Sequence, residues 1–145
     1  MILFGGGFAL ASGFGVSGLD KWIGSKLTGV SDWPLWVTVL TICLVVTFLT
    51  ELTSNTATTT MILPILGMTA VAATIHPLYF MVPATLAASF AFMLPVATPP
   101  NAIVFGSGWV SIPKMSKAGL ILNLIGAGII TTTVLVLVGG FLIGF

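Results

Sequence analysis

Ten residues, Glu-Leu-Thr-Ser-Asn-Thr-Ala-Thr-Thr-Thr at 51–60, interrupt a chain that is otherwise apolar on both sides. Seven of the ten carry a hydroxyl or an amide. Before them stand the mostly apolar residues 35–50, and after them the apolar residues 61–73. The rest of the composition rules out a water-facing fold. Only 5% of the 145 residues are charged and 57% are hydrophobic, whereas a soluble domain carries about 25% charged residues. Seven charged side chains cannot cover a soluble surface. The expected class is therefore an all-α integral membrane protein, and the polar decapeptide is set within its apolar part.

Arm length decides how that decapeptide can be placed. A transmembrane helix needs about 20 residues to cross about 30 Å of hydrocarbon, and residues 35–50 would rise only about 24 Å at 1.5 Å per residue. Two short arms around a polar knot read as a re-entrant hairpin, with its turn at membrane depth. Backbone of that kind is tolerated only inside protein or beside a wet cavity. On length alone, two full crossings joined by an ordinary loop fit equally well. The next apolar stretch, 78–97, runs into Val-Ala-Thr-Pro-Pro-Asn at 96–101. Pro99 and Pro100 lack an N–H and push their predecessors out of the α region, so one helix is expected to stop near Val96 and another to start near Asn101. Paired interruptions of apolar segments are the sequence pointer to a secondary-transporter binding site. Residues 118–145 are long enough to cross completely.

The ends and loops supply orientation. Residues 12–33 hold four of the seven charges, Asp20, Lys21, Lys26 and Asp32. With Trp22, Trp33 and Trp36 they suit the interface, and 18–27 has the spacing of a short amphipathic surface helix. Lys114 and Lys117, unbalanced by any acid, place 109–117 on the cytoplasmic side. The hairpin then opens outward, and the C-terminus lies outside. Ala9-Leu10-Ala11 has the form of a signal-peptide cleavage site, but no basic region precedes it and cleavage is not expected. The abrupt apolar start suggests that further sequence lies upstream.

Other motifs carry no chemistry. Gly-Phe-Gly-Val-Ser-Gly at 13–18 matches a dinucleotide-binding pattern but lacks a βαβ context. His76 is a loop histidine without ligand partners. Cys43, the one cysteine, reads as a small buried hydrophobe. No Ser-His-Asp or Cys-His set can be assembled, so the chain is not expected to be an enzyme. With a net charge of +1 it offers no surface for nucleic acid.

If the two interruptions meet, two helix C-termini face a cation and two N-termini face an anion. Residues 54–56 and 97–101 are then expected to lie together, sharing one wet cavity, with Asn55 and Asn101 capping each other's loops. Free carbonyls would add oxygen ligands for a hard cation. No Lys, Arg or His stands in either break, so a bound anion would take its countercharge from a co-bound cation. Glu51 is the only charge nearby.

Ser-Asn-Thr at 54–56, Leu-Pro-Val-Ala-Thr-Pro-Pro-Asn-Ala-Ile-Val-Phe-Gly-Ser-Gly at 94–108 and Leu-Phe-Gly-Gly-Gly-Phe-Ala-Leu-Ala at 3–11 resemble the divalent anion/sodium symporter family. The resemblance implies an inverted-repeat fold, with a hairpin and a broken helix in each half, of which this chain would be the C-terminal repeat. Residues 1–34 would hold the end of a transmembrane segment and an interfacial arm helix, 35–73 the hairpin, 74–113 the broken helix and 114–145 the last transmembrane helix. It also implies sodium-coupled symport of di- or tricarboxylates of the succinate, malate and citrate class, by an elevator-like movement in a homodimer of the cell's inner or plasma membrane. Ser54, Asn55 and Thr56 would contact substrate, with Thr98 and Pro99 at its edge. Thr50, Ser54, Asn55 and the Ala97 carbonyl would surround Na+. The chain has a single Ser-Asn-Thr, so its partner half, the N-terminal repeat, would be missing. Two other readings remain at this level: a channel-like pore subunit, because re-entrant loops also build selectivity filters, and a non-transporting fragment.

Overall fold

A computed structural model describes residues 33–142 and, ahead of them, Gly13, Val16 and Ser17. The expected surface helix at 18–27 lies outside the described residues. The regular structure among the described residues is all helical, with no strand. In order they form α1 (Leu35–Thr50), α2 (Asn55–Ala72), α3 (Leu78–Ala87), α4 (Pro99–Gly106) and α5 (Ile112–Leu137), which runs into a π-helical turn, Val138–Leu142.

Each boundary has a local cause. Pro34 is extended, and its carbonyl receives Val37 N–H at 2.9 Å, which starts α1. Ser54 is the N-cap of α2, its hydroxyl accepting from Ala57 N–H. Helix α4 opens on Pro99 and Pro100, where the missing N–H groups cost nothing. Ser111 is the extended N-cap of α5, and Pro113, the second residue of that helix, lacks an N–H that would have no partner there. That helix therefore begins at Ile112, and Lys114 and Lys117 lie on its first turns.

Helix α2 closes in a Schellman turn. Ile75 N–H donates to the Ala70 carbonyl and Thr74 N–H to that of Val71. The turn forces Thr74 to a φ of +58°, a left-handed conformation that a β-branched residue adopts at a cost of roughly 1–2 kcal/mol. Thr74→Gly should remove that penalty while adding roughly 0.5–1 kcal/mol of backbone entropy cost. A net gain of up to about 1.5 kcal/mol is expected, measurable as a raised unfolding midpoint in detergent.

The core sits where α1, α3 and α5 meet. Val39, Cys43 and Val46 of α1 recur at helical spacing, and they pack with Ala84, Ala87 and Ala88 at the end of α3 and with Ala127, Ile130 and Val134 of α5. Small side chains let the helices approach closely, as in membrane bundles. Helix α2 packs on α3. The outer face of α5 carries Ile121, Ile125, Ile129 and Val136, all exposed. The segment Ile112–Gly140, 29 residues, is long and apolar enough to cross a membrane.

The interruption in the third apolar stretch is placed differently from the sequence expectation. Helix α3 ends at Ala87 rather than near Val96, and the chain stays unwound until the N-cap Thr98. The prolines set where α4 starts, not where α3 stops. What stops α3 is tertiary: side chains from α4, α5 and the α1–α2 link take over the backbone groups of residues 91–94.

Candidate functional site

The unwound segment leaves peptide groups without helical partners, and in hydrocarbon each such group costs several kcal/mol. Five of the eight between Ala91 and Leu94 are answered by a side chain. The Glu51 carboxylate accepts Met93 N–H on Oε1 at 2.9 Å and Leu94 N–H on Oε2 at 3.1 Å. The Asn101 amide donates to the carbonyls of Ala91, at 2.7 Å, and Leu94, at 3.0 Å. Ser116 Oγ donates to the Met93 carbonyl at 3.2 Å. Donors of the loop are thus held from one side and acceptors from the other. Glu51 is itself buried, and Asn123 of α5 donates to its Oε1 at 2.8 Å. Gly119 of α5 makes room for the loop, since a Cβ there would stand 2.5 Å from the Phe92 backbone.

The end of α1 reaches the end of α3. Carbonyls of a helix's last turn have no partner within the helix, and here two threonines of α1 meet them. Thr47 Oγ1 lies 3.4 Å from the Ala87 carbonyl oxygen and Thr50 Oγ1 lies 3.0 Å from that of Ala88. Thr50 Oγ1 is also 2.7 Å from Asn55 Oδ1, at the first residue of α2. A hydroxyl has one proton, so two acceptor oxygens compete for it. The result is an oxygen-rich niche where two helix C-termini, each partly negative, meet the start of a third helix. Oxygens of this kind suit a hard monovalent cation. Among the described residues no cluster of His, Cys, Asp and Glu has the make-up of a transition-metal site.

The start of α2 offers donors. Ser54 serves Ala57 N–H through its hydroxyl and Thr58 N–H through its carbonyl. The N–H groups of Asn55 and Thr56 have no hydrogen-bond partner among the described residues. Thr59 and Thr60 donate back to the carbonyls of Asn55 and Thr56, as helical threonines commonly do.

Of the residues singled out from sequence, Thr50 and Asn55 come together directly. Ser54 caps α2 and is exposed, as is Thr56. Thr98 caps α4 in an extended conformation, with no side-chain cap bond, and Pro99 is the exposed first residue of that helix. Ala97 donates its N–H to the Leu94 carbonyl. Among the described residues no hydrogen bond joins 54–56 to 97–101. The ties between the two interruptions come from just before Ser54 instead: Thr50 reaches the Ala88 carbonyl, and Glu51 takes Met93 and Leu94 N–H. Asn101 does not cap the loop of Asn55; it caps the break in its own apolar stretch, because the unwound carbonyls of Ala91 and Leu94 lie within its reach.

Four participants escaped the sequence reading: the Ala88 carbonyl, Ser116, Asn123, and the anchoring part played by Glu51. Glu51 did carry a signal, as the one charged residue between Asp32 and Lys114; an ionisable group within a membrane segment is functional by default. Asn123, the one side-chain amide after Lys117, carried a weaker one. Nothing local marks Ala88.

Comparison with known proteins settles the kinship. The sequence profile described as "Sodium:sulfate symporter transmembrane region" matches residues 1–143. The chain belongs to that family. It is a family of symporters rather than enzymes, and it makes this an integral membrane protein. The chain is 57% identical over 134 residues to Solute carrier family 13 member 2 of Mus musculus, covering 92% of this chain and 23% of the relative. It is 54% identical over 138 residues to the Sodium-dependent dicarboxylate transporter SdcS of Staphylococcus saprophyticus, covering 95% and 27%. Solute carrier family 13 member 1 of Homo sapiens is 53% identical over 129 residues, covering 89% and 22%. The chain thus spans about a quarter of the length of these relatives.

Proposed function

We propose that this chain is the C-terminal repeat of a sodium-coupled symporter of di- or tricarboxylates. The observation that carries the reading is the oxygen niche of Thr50 Oγ1, Asn55 Oδ1 and the Ala88 carbonyl. It joins a family whose profile and bacterial relative both bear sodium in their names. Sodium sits beside Thr50, Ser54 and Asn55, with the Ala97 carbonyl brought up from the break. The carboxylate lies against the free N–H groups of Asn55 and Thr56 and the side chains of Ser54, Asn55 and Thr56, with Thr98 and Pro99 at its edge. Residues 35–113 hold no Lys or Arg, so the ion supplies the countercharge that the protein lacks. This makes binding of anion and cation mutually dependent, which is the thermodynamic basis of coupling.

In this reading residues 35–73 form a re-entrant hairpin open to the outside. Residues 74–113 form a transmembrane helix broken at the site, and 114–145 the final crossing. An N-terminal repeat supplies the other half of the site, two protomers pair, and the substrate-bearing part moves like an elevator across a plasma or inner membrane. The name of the bacterial relative favours dicarboxylates over sulfate as substrate.

Vesicles containing the complete transporter should concentrate labelled succinate when sodium is outside, and should cease to do so in choline. Thr50→Val keeps the side-chain volume but deletes the niche's hydroxyl oxygen. The half-saturating sodium concentration should rise about tenfold, the equivalent of roughly 1.5 kcal/mol for one bond to a charged partner. Undiminished uptake in choline overturns sodium coupling. Flux that only runs downhill replaces the symporter with a pore.

A further inference from the structure

Glu51 sits in a place that the transport reading does not require. It is not at the oxygen niche; it is buried one residue beyond it, and all three groups facing its carboxylate are donors: Met93 N–H, Leu94 N–H and Asn123 Nδ2–H. No acceptor meets it among the described residues, a set suited to an ionised carboxylate. The three donors come from two different parts of the chain, the break after α3 and the middle of α5. The cost of the arrangement is visible at Asn123. Its side chain is fully buried, and with Nδ2 turned to Glu51 its Oδ1 is left as the one buried side-chain polar atom without a partner among the described residues. An amide free to choose would satisfy both ends. This one is held by the carboxylate.

We propose that Glu51, oriented by Asn123, is a positioning residue that fixes the backbone of Met93 and Leu94, and through it the start of α4, against the α1–α2 link. The carboxylate grips two consecutive N–H groups four to five residues before Thr98. The Leu94 carbonyl is held in turn by Asn101, the third residue of α4. The chain of bonds therefore runs from the α1–α2 link to the α4 N-terminus without a gap, and Asn123 adds α5 to the same body. The inference rests on the symporter reading only where it concerns transport; the anchor itself is a statement about the break.

Two substitutions of unchanged size test it. Glu51→Gln puts an NH2 group where an N–H donor must be received, so donor faces donor. Asn123→Asp puts an acceptor against the carboxylate. Amide hydrogen exchange would be followed by mass spectrometry on the full chain reconstituted in lipid vesicles. Exchange of peptides covering 91–94 should speed up at least tenfold in both variants, while peptides from α1 and the middle of α3 stay protected. Asn123→Gln, which keeps a donor, should lie closer to the unsubstituted chain than Asn123→Asp does. Unchanged exchange at 91–94 in Asn123→Asp and Glu51→Gln overturns the anchor. So does uniform loss of protection across all helices in both, which would make the pair a general stability element. In vesicles of the complete transporter that take up succinate, half-saturating sodium should rise at least threefold in both variants. If the complete transporter takes up none, the transport reading falls and the exchange pattern still decides the anchor.

Discussion

Gly119→Ala should destabilise the protein by roughly 1–3 kcal/mol, the range for overpacking a close-packed site. The added Cβ would meet the Phe92 carbonyl carbon and oxygen at 2.5 Å and Met93 Cα at 2.7 Å. These are main-chain atoms, so no rotamer change can relieve the clash. The loop cannot simply retreat either. Met93 is tied to Glu51 through its N–H and to Ser116 through its carbonyl, and Leu94 to Glu51 and Asn101. Moving the backbone by a few tenths of an ångström strains several bonds at once. Gly128→Ala is the matched control in the same helix. A Cβ there meets nothing within 4 Å, so the change should be neutral or slightly stabilising, given alanine's higher helix propensity. Unfolding in detergent, followed by circular dichroism, should separate the two glycines. Equal midpoints for the two variants would mean that α5 and the loop do not pack as described. Gly119→Ala should also disturb sodium dependence, because residues 92 and 93 lie on the path from Glu51 to α4.

The two breaks differ in how far the sequence reveals them. The polar knot at 51–60 announces itself, since a run of hydroxyls and an amide between two apolar arms has few places to go; α1 ends at Thr50, just before it, and α2 starts at Asn55, within it. The break after α3 is legible only on one side. Pro99 and Pro100 act locally, through ring geometry, and they mark the start of α4. The end of α3 depends on bonds to residues far along the chain, such as the 42-residue separation of Glu51 from Met93. Residues 88–93, mostly Ala, Phe and Met, carry no helix breaker. Pro95 acts locally on Leu94 just before it, and nothing in the sequence at Ala87 tells the helix to stop there. The same holds for the site. Thr50 and Asn55 are five residues apart and their meeting follows from one turn. Ala88 enters through its carbonyl, a group every residue has, so its side chain gives no hint. Asn123 lies 72 residues from Glu51, and their pairing appears only once α5 is packed.

Asn55→Ala should nearly abolish uptake, by at least about a hundredfold, while leaving the protein folded and at its normal abundance in the membrane. Asn55 is the first residue of α2, where alanine is well tolerated, and its side chain is bonded only to Thr50 among the described residues. Its loss therefore removes little packing. On the proposed reading it removes two things at once: the Oδ1 oxygen from the sodium niche and the amide donor from the carboxylate. Each bond to a charged partner is worth roughly 1.5–3 kcal/mol, so the pair amounts to roughly 3–6 kcal/mol, or two or more powers of ten. Thr59→Ala provides the contrast on the same helix. Thr59 Oγ1 bonds back to the Asn55 carbonyl at 2.7 Å, a common local bond for a helical threonine, so uptake should stay within a factor of a few. Asn55→Asp separates the two roles. It keeps an oxygen for sodium but sets a negative charge against the anion, so sodium binding measured without substrate should survive while uptake is lost. Near-normal uptake by Asn55→Ala at normal abundance would take Asn55 out of the site. With it would go the argument that the knot is polar because it binds.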